Sequence, residues 1–287
     1  MNDQRKGVII TVIAILALVP DSLFLRLVSA DIMTFIFWRA AIASVMIVVG
    51  LCFFYGRGTA GKFLGLGKLG LLYAAFTAVG TYAFLLAIAN TSVANALFIV
   101  STAPVFAAIT SRVFLGERFS QRMAWTTVFA LIGIAVIASG SSSNQHATRF
   151  GDLVALAAAV LLACSFTTAR AAKHISMVPA AALAYLTTAI VAAPFVDWQG
   201  VKGNDWIYLA VLGGMFVPLG TSFLSLGPRY ITAAEVSLIL LLEAVLAPLL
   251  VWYFLGENPG KWALLGGAIV LGTLLVSNII GLRRAKA

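Results

Sequence analysis

The stretch Phe114-Leu115-Gly116-Glu117 is followed 140 residues later by the same four residues, Phe254-Leu255-Gly256-Glu257. The two stretches close an ungapped repeat, because residues 78–117 laid on residues 218–257 are identical at 11 of 40 positions. The sequence therefore contains two copies of one unit. The number of helices between the copies decides whether the copies run in the same direction or in opposite directions.

The composition indicates that both copies lie in lipid. Of the 287 residues, 62% are hydrophobic and 10% are charged, and the mean hydropathy is +1.04. Soluble domains are about 45–50% apolar and about 25% charged. The net charge of +9 does not indicate nucleic acid, because Lys and Arg lie in short gaps between apolar runs without an aromatic patch among them. Cys52 and Cys164 stand alone inside apolar runs, so neither a disulfide nor a metal site is expected.

Ten apolar runs are long enough to cross the hydrocarbon core, which takes about 20 helical residues. They are predicted to be helices, because lipid offers no hydrogen-bond partner to an open backbone. Their approximate bounds are 7–28, 32–54, 68–89, 93–115, 122–140, 151–172, 178–197, 205–227, 233–255 and 260–281.

The distribution of Lys and Arg predicts the direction of these crossings. With the N-terminus in the cytoplasm, 14 of the 19 basic residues fall in cytoplasmic segments and five on the other side. Five spans, an odd number, separate the two Phe-Leu-Gly-Glu stretches, so the first ends inside and the second outside. The predicted fold is all-α and integral to the membrane, with ten transmembrane helices and both termini cytoplasmic. It forms two inverted five-helix repeats (5+5), residues 1–140 and 151–287, joined by an extracytoplasmic linker at 141–150.

Three features of this chain resemble the drug/metabolite transporter superfamily, and most of all its EamA-type exporters. They are Trp38-Arg39 in the second helix, Ala103-Pro104-Val105-Phe106 before the first Phe-Leu-Gly-Glu stretch, and the Gly-Glu endings of both halves. The resemblance covers nearly the whole chain and is greatest to bacterial exporters of amino acids, such as the YddG-type exporters of aromatic amino acids.

The resemblance implies an inner-membrane exporter that works by alternating access. It also implies a central cavity lined mainly by the first, third, fourth, sixth, eighth and ninth helices. The expected partners are a small-molecule substrate and membrane lipid, with no nucleic acid, ATP or cofactor, and the monomer is the expected working unit. Exporters of cationic drugs or of another metabolite are the alternative within the superfamily.

Glu243 is the most unusual residue of the predicted spans. It lies about ten residues into the ninth helix, roughly 15 Å deep, and no Lys, Arg or His is predicted at that depth. Ionisable groups inside a membrane are costly and are often functional. Glu243 is therefore a candidate for carrying a proton or for binding a substrate ammonium. The alternative is a protonated acid that is hydrogen-bonded to a neighbouring helix.

Asp21 and Arg39 are predicted to form an ion pair. Helical rise places them about 10 Å and about 12 Å from the outer ends of the first and second helices, at matching depth. The pair would relieve two intramembrane charges and fix the first helix against the second. A role in gating or substrate contact is the alternative. Pro20, directly before Asp21, permits a bend there.

The other candidates are polar or aromatic residues near helix interruptions. Proline or glycine at corresponding points of two halves indicates a transport site, and helix packing alone is the alternative for each position. The cavity candidates are Trp38, Thr81, Tyr82, Asn95, Phe98, Ser101, Thr102, Ser165, Phe166, Thr221, Ser222 and Glu243. The hinge candidates are Pro20, Gly80, Pro104, Pro218, Gly220 and Pro248. Glu117 and Glu257 are predicted to lie at opposite membrane interfaces, near backbone or basic groups.

An enzyme is the least favoured class. The stretch from Gly56 to Lys62 approaches a phosphate-binding loop, but Phe63 replaces the Ser or Thr that would hold magnesium. An intramembrane enzyme would require the two deep acids, Asp21 and Glu243, to meet, although their spans lie in different repeats. The same meeting would equally favour proton coupling.

Overall fold

The computed structural model describes residues 3–90, 96, 99–117, 120–140, 149–256 and 260–284, and within them every regular element is helical. The α-helices of these residues are labelled here in chain order. They are α1 (Asp3–Leu18), α2 (Pro20–Leu27), α3 (Ile32–Tyr55), α4 (Thr59–Leu64), α5 (Gly67–Asn90), α6 (Ala103–Leu115), α7 (Gln121–Gly140), α8 (Arg149–Ala171), α9 (Val178–Ala192), α10 (Asp205–Val211), α11 (Val217–Leu226), α12 (Ala233–Leu255) and α13 (Gly260–Arg284).

Six helical segments of the described residues are long and apolar enough to cross a membrane. They are Asp3–Leu27, Ile32–Leu64, Arg149–Ala171, Val178–Phe195, Asp205–Arg229 and Ala233–Leu255. Three of the other predicted spans coincide with α5, α7 and α13, and α6 covers the second half of the fourth, whose first half lies partly outside the described residues. The all-helical class is therefore confirmed for the described part of the chain. The ten crossings, the inverted repeats and the cytoplasmic termini stay predictions.

Within the described residues, the first and the eighth predicted spans are interrupted in their middle. The first is divided into α1 and α2 at Val19, directly before Pro20, because proline lacks the N–H that would continue the helix. The eighth leaves α10 for a π-helical segment, Leu212–Phe216, and then continues as α11. Pro218 stands in the first turn of α11 and Pro104 in the first turn of α6, where a missing N–H costs little.

The helices pack in a regular set of pairs. Helix α5 packs against α8, and α1 packs against α11. Helix α6 also contacts α8, and α1 also contacts α12. Three further contacts, α3 with α9, α6 with α12 and α7 with α13, join the first half of the chain to the second. Among the described helices, the extensive contacts of the first half are thus with helices of the second half.

Small residues allow α1 and α11 to approach closely. A Cβ atom on Gly220 would lie 2.6 Å from Leu18 Cγ, and one on Gly227, just after α11, would lie 2.5 Å from Thr11 Oγ1. In lipid, helices associate through such close packing, because the hydrophobic effect no longer drives them together. The seam between α1 and α11 therefore depends on the absence of these side chains.

Hydrogen bonds join the loops at one end of the helix bundle. This end lies opposite the one that contains the start of α1, which is called here the N-terminal end of the bundle. Asp31 caps α3 by accepting from Met33 N at 2.8 Å, and the Thr34 hydroxyl donates to the same carboxylate. Burial alone would raise the pKa of Asp31, but the hydrogen bonds from Thr34 and Met33 hold that pKa below its usual range. The Ser29 hydroxyl donates to Asp205 Oδ2 at 2.6 Å, which joins the end of the first span to the start of the eighth.

We predict that Gly220→Ala destabilises the protein although alanine favours helix by about 1 kcal/mol. The new methyl group would press on Leu18 and on Ala14 O, 3.1 Å away, and overpacking typically costs about 1–3 kcal/mol. Gly50→Ala is the matched control, since no atom lies within 4 Å of its Cβ position. The thermal midpoint of the detergent-solubilised protein should fall for Gly220→Ala and hold or rise for Gly50→Ala. Equal midpoints would contradict a tight seam.

Candidate functional site

Charged residues from three helices meet inside the bundle. Asp21 lies in the first turn of α2, Arg39 lies about two turns into α3, and Glu243 is the eleventh of the 23 residues of α12. Helix α2 packs against both α12 and the π-helical segment, so the interruptions of the first and eighth spans adjoin this region. Interrupted helices near the bilayer midplane form the sites of many transporters. We refer to Asp21, Arg39, Tyr185, Thr221 and Glu243 as the central cluster.

The ion pair between Asp21 and Arg39 is bidentate. Arg39 Nε donates to Asp21 Oδ1 at 2.8 Å, and Arg39 Nη2 donates to Asp21 Oδ2. The two side chains are 14% and 22% exposed, for Arg39 and Asp21 respectively. Fork-shaped pairs of this kind are stronger and more directional than single hydrogen bonds. The structure thus brings together the two residues that helical rise placed at matching depth.

The second half of the chain holds Arg39 from the other side. The guanidinium carbon lies 5.6 Å from the centre of the buried Tyr185 ring, and the Tyr185 hydroxyl makes side-chain contacts with Arg39 and Thr221. In the π-helical segment, a Cβ on Gly213 would lie 3.1 Å from Arg39 O. Single π-helical turns occur often at functional sites. Helices α9 and α11 and the π-helical segment therefore fix the position of the guanidinium.

Glu243 is the last member of the central cluster, and its carboxylate has no hydrogen-bond or ion-pair partner among the described residues. Its side chain is half-buried and lies within electrostatic range of both Asp21 and Arg39. The prediction that no basic residue lies at the depth of Glu243 is therefore wrong for Arg39, which reaches that depth from the second span. One guanidinium thus lies near two carboxylates, and Asp21 already accepts hydrogen bonds from its Nε and Nη2 groups. The cluster carries excess negative charge whenever Glu243 is ionised.

Several predicted cavity residues join helices near the cluster. The Tyr82 hydroxyl donates to Thr188 O at 2.7 Å, which joins α5 to α9, one turn beyond Tyr185. The Thr81 hydroxyl donates to Thr77 O at 2.9 Å within its own helix. Ser222 is half-buried beside Thr221. Tyr82 thus joins α5 to helix α9, and Thr221 contacts the cluster through Tyr185. The hydrogen bond of the Thr81 hydroxyl stays within α5.

Other predicted cavity residues belong to helix packing. Ser165 and Phe166 are each 2% exposed, and Phe166 lies in an apolar core that also contains Ile15. Trp38 stacks edge-on against Trp206, with ring centres 4.8 Å apart, on a face of α3 different from that of Arg39. Ser165 and Phe166 are thus enclosed by protein, whereas Trp38 is half-buried. A place in the cavity stays a prediction for all three.

Some of the remaining predicted site and hinge residues lie near the start of a helix or within one, and others lie outside the described residues. Ser101 is buried, and the Thr102 hydroxyl donates to Ile99 O at 2.5 Å just before α6 begins. Helix α5 is unbroken at Gly80, where a Cβ would lie 3.4 Å from Leu161 Cβ. A hinge at Gly80 stays a prediction. Asn95, Phe98 and Glu257 lie outside the described residues, as does the side chain of Pro248.

An arginine clamp joins three helices at the N-terminal end of the bundle. Arg170 Nε donates to Glu117 Oε1 at 2.7 Å, and Arg170 Nη1 donates to the carbonyl oxygens of Pro228 and Arg229 at 3.1 Å and 3.3 Å. The sequence predicted Glu117 to be interfacial and near basic groups, but it did not identify Arg170. We call these four residues the Arg170 clamp. It connects the ends of α6 and α8 to the turn after α11.

A second ion pair at the same end connects α7, α12 and α13. Arg122 Nη2 donates to Glu235 Oε1 at 2.7 Å, and Arg122 Nη1 donates to Ser277 O at 2.8 Å. Sequence reasoning missed this pair. The available signal was that Arg122 and Glu235 both open predicted spans on the same side of the membrane. Among the described residues, no three His, Cys, Asp or Glu side chains are grouped so that they could hold a metal ion.

Long apolar helices around a buried charged cluster define a multi-pass integral membrane protein. The chain belongs to the EamA-like transporter family, whose sequence profile matches residues 5–139 and again residues 149–279. The family resemblance is therefore confirmed, and with it a transporter role, which also points away from an enzyme. The aromatic amino acid exporters are not singled out by these matches.

Two relatives carry the same general description. "Uncharacterized transporter YdfC" of Bacillus subtilis (strain 168) is 28% identical over 183 residues, which are 62% of this chain and 60% of that protein. The alignment thus spans less than two thirds of the Bacillus protein. An "Uncharacterized transporter" of Archaeoglobus fulgidus is 25% identical over 211 residues, 73% of this chain and 75% of that protein. One solved crystal structure covers 99% of both chains with a TM-score of 0.83 at 16% identity, which shows the fold alone.

We predict that Asp21→Asn and Arg39→Gln each destabilise the protein more than the double variant does. Each single change leaves one partly buried charge without its partner, a loss of roughly 3–5 kcal/mol for fully buried pairs, whereas the double change removes both charges. Thermal midpoints of the four proteins in detergent complete the cycle. Additive losses in the double variant would show that the two residues act separately.

Proposed function

We propose that the chain is a secondary transporter that exports small organic solutes, in the first place neutral and aromatic amino acids, across the bacterial inner membrane. Glu243 carries this proposal. It is a half-buried carboxylate in the middle of a long apolar helix, and no described residue pairs with it. Such a charge is expensive inside a membrane unless a cation or a proton neutralises it. A substrate ammonium and a proton would compete for Glu243, which would couple export to proton entry.

The proposed architecture is ten crossings in two inverted five-helix repeats. Two observations support it. The family profile matches the chain twice. The helix contacts also correspond when the halves are exchanged: the α5–α8 contact corresponds to α1–α11, and α6–α8 corresponds to α1–α12. Repeats of this kind allow a transporter to open to either side by rocking one group of helices around a fixed site.

The Arg170 clamp and the Arg122–Glu235 pair are the proposed closure on the cytoplasmic side. The basic residues of the sequence predict that the N-terminal end of the bundle faces the cytoplasm. There the two groups connect the ends of α6, α7, α8, α12 and α13 and the turn after α11. Access to the central cluster from that side would require these contacts to separate.

We expect Arg170→Gln to increase access to the central cluster from the cytoplasmic side. The reporter is Ser222→Cys in a chain whose Cys52 and Cys164 are replaced by Ser, labelled in inverted vesicles with a membrane-impermeant maleimide. Loss of the clamp should raise the labelling rate several-fold, because the ion pair to Glu117 no longer holds the helix ends together. Arg57→Gln, in an exposed turn, is the control and should leave the rate unchanged. Identical rates with and without Arg170 would remove the clamp from the gating role.

Counterflow in proteoliposomes tests the substrate. We expect exchange of phenylalanine, tryptophan, threonine or methionine by the wild-type protein, driven further by a pH gradient. Glu243→Gln should abolish the pH-driven component, because an amide has no titrating proton and carries no negative charge to balance an ammonium. Asp3→Asn, exposed at the start of α1, is the control for a lost carboxylate. If the wild-type protein exchanges none of the four amino acids, the amino acid version of the proposal is wrong.

A second candidate is an exporter of cationic drugs or other cationic metabolites. One observation favours it: Asp21 engages Arg39 through both carboxylate oxygens, while Glu243 has no partner in the described part of the chain. A site with one committed cation and one uncommitted anion suits a positively charged solute. Counterflow with cationic compounds that lack a carboxylate distinguishes this candidate from an amino acid exporter that rejects them.

A further inference from the structure

We propose that the central cluster recognises its substrate through an ammonium group and makes no specific contact with a carboxylate. Amines and amino acid amides would then bind at the same site as the matched free amino acid, and more tightly. This inference rests on the proposed transport function and specifies the substrate chemistry of the same site.

The first argument concerns the guanidinium of Arg39. A substrate carboxylate is best bound by the two parallel N–H groups of an arginine. In Arg39 the Nε edge is already used by Asp21, and one face of the group lies over the Tyr185 ring. A substrate carboxylate could take this edge only by displacing Asp21, which would leave a partly buried carboxylate unpaired. The opposite edge, formed by Nη1 and Nη2, keeps N–H groups of its own. Tyr185 also contacts the guanidinium, and the nearby charge of Glu243 opposes a further carboxylate at that edge.

The second argument concerns other basic groups. Every other Lys or Arg of the predicted spans lies within one turn of a span's end, so none reaches the depth of Glu243. Arg122 and Arg170 are moreover engaged by Glu235 and Glu117. The chain therefore offers a substrate carboxylate no second cation at the level of the cluster.

The third argument concerns neutral donors near the cluster. The Thr221 hydroxyl donates to Val217 O at 2.5 Å, and the Thr188 hydroxyl donates to Ala184 O at 2.9 Å, so both point back along their own helices. In the first turn of α6, Pro104 has no N–H, and Val105 N donates to Thr102 O at 2.9 Å. These groups do not form a cradle for an anion.

Glu243 gives the central cluster a preference for a positively charged group of the substrate. With Asp21 it gives the cluster two carboxylates against one guanidinium, and its half-buried side chain is the one without a partner among the described groups of the cluster. A substrate ammonium would restore neutrality. A carboxylate on the same substrate would be repelled by the same two acids, a repulsion that discriminates between ligands as effectively as attraction does. Removal of the substrate carboxylate should therefore improve binding.

Four ligands with the same aromatic ring test this inference: phenylalanine, phenylalaninamide, phenethylamine and 3-phenylpropionate. Binding to the purified protein in detergent is measured directly for each by intrinsic tryptophan fluorescence or scintillation proximity. Binding is preferable to flux, because uncharged amines cross bilayers unaided. We expect the amide and the amine to bind with a Kd about tenfold lower than that of phenylalanine. We expect no binding of 3-phenylpropionate, which lacks the ammonium.

The outcomes separate this inference from the proposed function. Phenylalanine that binds as well as or better than phenethylamine, or binding of 3-phenylpropionate, would overturn the inference and leave the amino acid exporter in place. Phenethylamine that binds while phenylalanine does not would support the inference and remove phenylalanine from the substrates of the proposed exporter. Failure of all four to bind would overturn the inference, and the counterflow test with the other amino acids would then decide the proposed function separately.

Glu243→Gln assigns any observed binding to the central cluster. This variant should lose about tenfold or more in affinity for phenethylamine, whereas Asp3→Asn should keep the wild-type affinity. The thermal midpoint of each variant shows whether it is folded. Unchanged affinity in a folded Glu243→Gln protein would overturn the inference.

Discussion

The ion pair between Arg39 and Asp21 determines how the centre of this protein is organised. A guanidinium inside an apolar bundle has to be compensated, and the bidentate contact to Asp21 does so between the second helix and the broken first helix. The ring of Tyr185 and the close approach of Gly213 then bring α9 and the eighth span against the same residue. Arg39 and Asp21 neutralise each other, so the second carboxylate, Glu243, has no hydrogen-bond or ion-pair partner among the described residues. The resulting excess of one negative charge is the chemical basis of the proposed transport site.

The same physical rule operates at the N-terminal end of the bundle with a different result. There Arg170 and Arg122 each pair with one acid and also donate to backbone carbonyls. These ion pairs are balanced, so they are suited to holding helices together and not to binding a solute. The proposed transport mechanism uses both kinds of arrangement: contacts that close one side of the site, and a site whose charge the substrate or a proton completes. The two kinds lie at different depths in this chain.

Part of this arrangement could be predicted from the sequence. The depths of Asp21 and Arg39 follow from helical rise, and the break before Asp21 follows from Pro20. For Arg122 with Glu235 and for Arg170 with Glu117, the predicted spans place both partners at the same side of the membrane. The pairing itself did not follow, because the partners are 113 and 53 residues apart and their contact depends on which helices become neighbours. The π-helical segment was also missed. Gly213 and Gly214 permit a departure from α-helical geometry, but the sequence does not show that this segment packs on α3. Phe166 and Trp38 show a third limit. Helical periodicity does not predict their contacts with the apolar core around Ile15 and with Trp206, because it does not say which helix faces them.

The central claim is that a proton or a substrate ammonium completes the charge of Glu243. Proton release on ligand binding tests it most directly. Purified protein in detergent, held at mildly acidic pH in a weakly buffered solution with an indicator dye, is mixed with phenethylamine at saturating concentration. The account predicts that the wild-type protein releases protons as the amine binds and that Glu243→Gln releases none. Binding without proton release in the wild-type protein, or equal release from both proteins, would contradict it.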